Sequence, residues 1–250
     1  METNQFKTGY ESIDRNMPVS ATDLICIASK PEMGCTMFAL NVMQRSCESK
    51  GCFISLIDTK QQMKSKIDII LSKNESFYNN KDPYQFKEID FKFLELPTTL
   101  ELIEFIVSIS HDYDYFVIDR LSYINLNLNT NPVFSKNKNY HEIVRHLKSA
   151  CSLMKKNIIL LSTISHEIKD DEEVSFIYYG LREKYFDHII TIARPEWYKV
   201  ENSYYFGKNY EIGQTVVNVV KTQSGNVGFE TYVRFNKNSL EFDSYYLSSE

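Results

Sequence analysis

The sequence predicts an α/β protein with a mostly parallel, twisted sheet that is flanked by helices and extended by a C-terminal antiparallel hairpin. Short apolar runs alternate with helical patterns along most of the chain, which is typical of right-handed β–α–β units. These runs are almost continuously apolar, which indicates strands covered by helices on both faces. Two later β-rich runs flank the turn-forming segment QSGNVG, which indicates a hairpin.

The elements follow in chain order. Strands are predicted over residues 23–29, 51–58, 91–96, 115–121, 157–164 and 188–193. Helical patterns cover 36–49, 60–72, 98–110 and 139–155, and the hairpin pairs 215–222 with 229–235. Loops are predicted over 125–139 and 165–175. No linker or internal repeat divides the chain, so a single domain over residues 1–250 is expected.

Composition bounds the class of protein. The chain has 250 residues, of which 43% are hydrophobic and 24% charged, as in an ordinary soluble globular protein. It contains no apolar run of the roughly 18 residues that span a membrane. The first residues, METNQ, have neither a basic region nor an apolar core, so a signal peptide is not expected and a cytoplasmic protein without membrane contact is predicted. The five cysteines form no CxxC pair and are expected to be reduced thiols. A net charge of −5 argues against a generic nucleic-acid binder.

The first predicted strand leads into the pattern of a phosphate-binding loop. The loop residues are Ser29, Lys30, Pro31, Glu32, Met33, Gly34, Cys35 and Thr36. Gly34 and Thr36 match the pattern, whereas Cys35 replaces the lysine that reaches the β- and γ-phosphates. Because a thiol is a weak donor without that charge, two interpretations stand: a turn kept for packing, or a nucleotide site that binds weakly. A separate hypothesis is that Lys30, which precedes the apex of the loop, swings toward a phosphate in place of the lysine.

An apolar strand that ends in an acid follows the loop after about 85 residues. It is the run 115–119, which ends at Asp119, and in P-loop ATPases such an acid helps to position Mg²⁺. Thr36 and Asp119 are therefore the expected Mg²⁺ residues if a nucleotide binds. No histidine is assigned to a metal. A basic cluster comes next, formed by Lys136, Lys138, Arg145 and Lys148. It indicates either a solvated surface or a DNA contact made by Lys136 and Lys138.

Six segments together resemble the RecA-like ATPase domain of bacterial DnaB-type replicative helicases. In chain order they are TGYESID (8–14), DLICIASKPEMGCTMFALNVM (23–43), YFVIDRLSYI (115–124), IILLSTIS (158–165), EKYFDHIITIARPEWY (183–198) and VVKTQSGNVGFETYVRF (219–235). The segments follow the family order, so the resemblance implies a RecA-like P-loop NTPase fold. The chain begins almost at the ATPase domain, so the family's N-terminal primase-interacting domain is not expected.

Departures from the family pattern fall at its catalytic positions. The loop lysine, general-base glutamate, DNA-coupling glutamine and arginine finger are replaced by Cys35, Ile57, Thr163 and Gln223. Strand alternation is expected to point the neighbouring Asp58 to the opposite face. Family positions that are retained are Gly34, Thr36, Asp119, Glu183 and Lys221. Since an arginine finger alone is worth about 10³–10⁵ in rate, the resemblance with these losses implies no useful hydrolysis.

The sequence therefore predicts a binding or regulatory module, without ATP hydrolysis, for DNA replication or mobile-element maintenance. Its expected partner is a helicase, another replication protein or a second copy, and ATP with Mg²⁺ is expected to bind weakly or not at all. The alternative is a divergent, DNA-dependent ATPase that binds single-stranded DNA and uses Lys30, Lys221 or a partner's residue. A stand-alone DNA-binding protein is disfavoured by the net charge and by the acidic run at 170–173.

Overall fold

The protein is represented by a computed structural model that describes residues 6–46, 49–77, 89–125, 136–164, 185–194, 204–205, 208–209, 213–223, 225 and 227–244. The helices are α1 (Glu11–Asn16), α2 (Cys35–Arg45), α3 (Lys60–Phe77), α4 (Thr99–Ile109) and α5 (Lys136–Met154). The strands are β1 (Leu24–Ser29), β2 (Gly51–Ser55), β3 (Asp90–Phe93), β4 (Tyr115–Asp119), β5 (Asn157–Thr163), β6 (His188–Ala193), β7 (Tyr204–Tyr205), β8 (Lys208–Asn209), β9 (Gln214–Lys221), β10 (Phe229–Asn236) and β11 (Glu241–Ser244).

One nine-stranded sheet organises the described residues, in the order β11-β10-β9-β6-β1-β5-β4-β2-β3. Its six strands from β6 to β3 pair in parallel. Beyond β6 the sheet continues antiparallel through β9, β10 and β11. The predicted α/β class, with a hairpin that extends one edge of a parallel sheet, is confirmed.

The central strand β1 shows why the apolar runs are continuous. All six of its residues are buried. Ile25 and Ile27 belong to one hydrophobic cluster, which includes residues of α2, while Leu24 and Cys26 belong to a second cluster, which includes residues of α4 and α5. Because successive side chains of a strand point to opposite faces, this division shows that both faces of the sheet are covered.

The predicted loop over 125–139 is wrong at its C-terminal end. Helix α5 begins at Lys136, so Lys136 and Lys138 lie in its first turn instead of in a loop. Helix propensity differs by less than about 1 kcal/mol per residue between ordinary residues, and packing of a buried face contributes more. That face includes Val144 and Leu147, which are completely buried. The second predicted loop, 165–175, lies outside the described residues.

Strand β2 ends three residues before the predicted end at residue 58. Its last residue is Ser55, and the Ser55 hydroxyl accepts from the Asp58 N–H at 3.0 Å and contacts the Asp58 carbonyl oxygen at 3.1 Å. This side-chain bonding offers the backbone an alternative to the strand ladder. Ile57 and Asp58 therefore lie in a turn, where the alternation used to orient Asp58 no longer applies.

Candidate functional site

The predicted phosphate loop lies between the carboxyl end of β1 and the start of α2. Gly34 precedes the helix with φ at 92°, a left-handed conformation that glycine adopts without steric cost. The Met33 N–H donates to the Lys30 carbonyl at 3.3 Å and closes the turn. No side chain caps α2 at Gly34, so the N–H groups of its first turn are available to a ligand. Such a helix start attracts anions.

Cys35, at the position of the family's lysine, is turned into the protein. Its thiol donates to the Ile27 carbonyl oxygen with Sγ at 3.3 Å. Burial raises the pKa of the Cys35 thiol to about 12; Asp119 acts in the same direction and Arg120 opposes it. The thiol is therefore neutral at physiological pH and adds no positive charge to the loop.

Thr36 and Asp119 meet at the carboxyl ends of the parallel strands. The Thr36 hydroxyl donates to Asp119 Oδ2 at 2.7 Å, and the side chain of Asp119 is only 1% exposed. A single strand, β5, separates β1 from β4 in the sheet, which brings the end of β4 beside the loop. Since hydroxyl and carboxylate oxygens suit Mg²⁺, this pair fits the ion that the sequence analysis assigned to it.

Arg120 is a charged residue of the site that the sequence analysis missed. Its Nε donates to Asp119 Oδ1 at 3.2 Å, and its Nη1 donates to the Thr163 hydroxyl at 2.9 Å. It thus joins the ends of β4 and β5. The one sequence feature that could have indicated it was its position directly after Asp119, the acid that ends the strand. Strand alternation could not orient it, because β4 ends at Asp119.

The position of the family's general base carries no acid in the described structure. Ile57 is half-buried beyond the end of β2. The adjacent Asp58 accepts from Lys66 of α3 at 2.5 Å, and its side chain is 17% exposed. This carboxylate is therefore already engaged by a lysine.

Lys221 and Gln223 lie near the amino end of β6, at the opposite ends of the parallel strands from the phosphate loop. Lys221 is opposite Ile189, near the start of β6, and its Nζ donates to the Phe186 carbonyl at 2.5 Å. The Gln223 amide donates to Asp187. Neither residue is brought to the loop within this chain.

The remaining predicted site residues lie in parts whose side chains the structure leaves undescribed. Lys136 and Lys138 are placed at the start of α5 by the backbone alone. Glu183 and the acidic run at 170–173 are outside the described residues.

A second polar cluster joins the amino ends of β1 and β6. His188 is completely buried; its Nε2 lies 2.8 Å from Asp23 Oδ2 and its Nδ1 lies 3.0 Å from the Thr222 hydroxyl. Burial by itself raises the pKa of Asp23, but hydrogen bonds from His188 and the Ser20 N–H outweigh it and hold that pKa below its ordinary value. The hydrogen-bonded chain from threonine through histidine to aspartate resembles a hydrolytic triad. Because the imidazole is completely buried, no substrate can reach it, and we interpret the cluster as stabilising the fold.

The sequence matches the family of DnaB-like helicase C-terminal domains over residues 6–244. The chain belongs to this family. A comparison with curated protein sequences found no match.

Many solved structures match this fold, and two of them illustrate the similarity. One is described as the structure of a DnaB-like replicative helicase and its interactions with primase; it is 16% identical with a TM-score of 0.75, and the match covers 96% of this chain and 63% of that chain. The other is described as an ATPase domain; it is 17% identical with a TM-score of 0.76, and the match covers 98% of this chain and 92% of that chain. The predicted RecA-like fold is confirmed.

Three further findings concern the described residues alone. Cys26, Cys35, Cys52 and Cys151 are free and buried. None of the described helices combines the length and apolar character of a membrane span. Within the same residues, no group of three or more histidine, cysteine, aspartate or glutamate side chains is arranged to hold a metal ion.

Proposed function

We propose that this chain, as one RecA-like domain, does not hydrolyse ATP and serves as a binding or regulatory module in DNA replication or mobile-element maintenance. The observation that carries the proposal is Cys35. Where the phosphate-spanning lysine is required, the chain has a buried thiol bonded to Ile27, with a pKa of about 12. Neither Mg²⁺ nor the helix N-terminus replaces a charge placed directly between the β- and γ-phosphates.

Two other positions support the absence of turnover. Ile57 has no group that could take a proton from water, and a positioned general base contributes about 10²–10⁴ in rate. Gln223 is neutral and donates to Asp187, whereas an arginine finger contributes about 10³–10⁵. These factors are not additive, but either loss alone is large.

The partner is proposed to be a helicase, another replication protein or a second copy of the chain. Family membership supports this choice, and the first of the two similar structures is of a helicase described with its primase interactions. If ATP binds with Mg²⁺, Thr36 would hold the ion and Asp119 would orient its water. The ion would supply charge neutralisation at the phosphates.

A divergent DNA-dependent ATPase is the second candidate. The observation that favours it is the 2.7 Å hydrogen bond between Thr36 and Asp119, because an Mg²⁺ pair has no evident use in a domain that binds no nucleotide. Under this alternative the missing charges come from other residues, from a partner or from a second copy.

Phosphate release from ATP, with Mg²⁺ and with or without single-stranded DNA, separates the two candidates. The purified chain is expected to release no more phosphate than an Asp119→Ala variant. DNA-stimulated turnover that disappears in Asp119→Ala would contradict the proposal. A gain of turnover in Cys35→Lys alone would show that the other departures are tolerated, and would limit the defect to the loop.

The regulatory role needs its own measurement. The chain is added to the DnaB-type replicative helicase of the same cell, and the ATPase rate of that helicase is followed together with sedimentation of the mixture. A changed rate with co-sedimentation is expected. An unchanged rate, with neither co-sedimentation nor self-association, would exclude both the helicase and a second copy as the partner.

A further inference from the structure

The phosphate loop lacks the charge of its lysine, but a fixed cation lies beside it. Thr163, the hydroxyl partner of Arg120, is the β5 residue paired in register with Ser29, which is both the last residue of β1 and the first residue of the loop. Neighbouring strands are about 4.8 Å apart. The Ser29 carbonyl also accepts from the Ile164 N–H at 2.8 Å. Arg120 is therefore held one strand away from the first residue of the loop.

Two partners define the direction of the guanidinium group. Nε donates to Asp119 and Nη1 donates to Thr163, at 3.2 Å and 2.9 Å. Asp119 in turn accepts from Thr36, at the start of α2. The three bonds connect the strand ends, the arginine and the first turn of the helix, so the position of the charge is set by several elements at once.

Donor groups of Arg120 remain for a ligand. A guanidinium has five N–H donors, and bonds to described residues use two of them, which leaves three. The side chain is 28% exposed, although its partner carboxylate is 1% exposed. The arginine also lies close enough to the loop that its charge lowers the pKa of the Cys35 thiol, against the larger effect of burial.

We propose that Arg120 supplies the phosphate-binding charge that Cys35 lacks, so that the loop holds the phosphates of a nucleoside triphosphate between the arginine fork and the first N–H groups of α2. Arginine suits this task because its planar fork can bind two phosphate oxygens at once. This inference rests on the proposed function, since it names the ligand that a non-hydrolysing module would bind. Charge at the site then matches that of a lysine-bearing loop, with the cation at the end of β4 instead of on α2.

Titration calorimetry with ATP, ADP and adenosine tests the proposal on the intact chain. Replacing Arg120 with alanine should weaken ATP binding by about tenfold to hundredfold, as expected for hydrogen bonds to a charged group, and should leave adenosine binding unchanged. The ATP affinity of Arg120→Lys should fall between that of the native chain and that of Arg120→Ala. The matched control is Arg15→Ala, which removes an exposed arginine paired with Glu11 on α1 and should bind ATP like the native chain.

A rescue experiment tests the exchange of one cation for the other. The double variant Cys35→Lys with Arg120→Ala should recover most of the ATP affinity lost in Arg120→Ala. Circular dichroism checks that each variant is folded. If Arg120→Ala does not fold, Thr163→Val serves instead: it removes the bond that aims Nη1 and should weaken ATP binding several-fold without removing the charge.

The outcomes separate this inference from the proposed function. Equal ATP affinity in the native chain and a folded Arg120→Ala or Thr163→Val variant would overturn the inference. So would a native chain that binds no ATP at millimolar concentration, although the proposed lack of hydrolysis would stand. Turnover of ATP would overturn the proposed function, while the binding comparison would still decide the role of Arg120.

Discussion

Replacing Phe242 with alanine should destabilise the fold at the base of the phosphate loop. Phe242 lies in β11 and is completely buried. Its ring packs against Phe38 of α2 and Phe235 of β10, with ring centroids 5.4 Å and 4.7 Å apart. The same ring lies 3.1 Å from the point where a Cβ on Gly34 would be. One aromatic side chain therefore supports both the hairpin and Gly34, the residue that precedes α2.

The expected loss of unfolding free energy depends on the ring contacts that alanine would remove and on the backbone hydrogen bonds that it would keep. A fully buried phenylalanine changed to alanine costs about 3–5 kcal/mol, and the packing of its ring on two others places this site in the upper half of that range. The backbone bonds of Phe242 to Asn41, Tyr10 and Arg45 do not involve its side chain and should remain. Because domains are stable by about 5–15 kcal/mol, the variant should still fold at low temperature.

Urea denaturation followed by circular dichroism measures the effect. Phe242→Ala should lower the free energy of unfolding by about 4 kcal/mol, and Phe242→Leu by less than about 1.5 kcal/mol, since it keeps most of the volume. Phe229→Ala is the matched control: it lies in β10, the strand that pairs with β11, but is only half-buried, so it should cost less. A loss below about 1 kcal/mol for Phe242→Ala would refute the packing of β11 under the loop.

Two other predictions concern ionisable groups. Because the pKa of Asp23 is lowered in the fold, its charge stabilises the protein above its unfolded pKa of about 3.9, and this contribution is lost as pH falls through the lower folded value. The difference in unfolding free energy between the native chain and Asp23→Asn should therefore shrink below about pH 4; a difference independent of pH would contradict this. Burial raises the pKa of the Cys35 thiol to about 12, so iodoacetamide should label Cys35 in urea but not in the native chain, and rapid native labelling seen by peptide mass mapping would disprove its burial.

The fold class could be predicted because its signal is local. All six residues of β1 are buried, and the five from Leu24 to Ala28 divide between the hydrophobic clusters on the two covered faces. A strand with no solvent-facing side is apolar over nearly its whole length. The hairpin of β9 and β10 was visible for a similar reason, since a turn-rich segment lies between two β-rich runs. The positions of Gly34 and Thr36 after β1, and of Asp119 at the end of β4, could also be predicted, because strand–loop–helix context and a strand-terminal acid are features of short segments.

Other boundaries and elements depended on packing that short segments do not show. The four-residue strand β11 has too little periodicity to identify, and its place comes from the contacts of Phe242 with residues far away in the chain. The start of α5 at Lys136 was missed, because its buried face outweighs the propensity of the residues around it. The burial of His188 between Asp23 and Thr222 likewise joins three distant segments.

Sequence alone therefore determined the α/β architecture, the family and the presence of a cysteine, Cys35, where the phosphate-loop pattern has lysine. Only the tertiary structure decided where positive charge is placed near the loop. Arg120 follows the last residue of its strand, where alternation ceases to orient side chains, and its direction is set by Asp119 and by Thr163, which is 43 residues away. The sequence specifies which chemical groups are present, but the distances between strand ends in the fold decide which of those groups can act together.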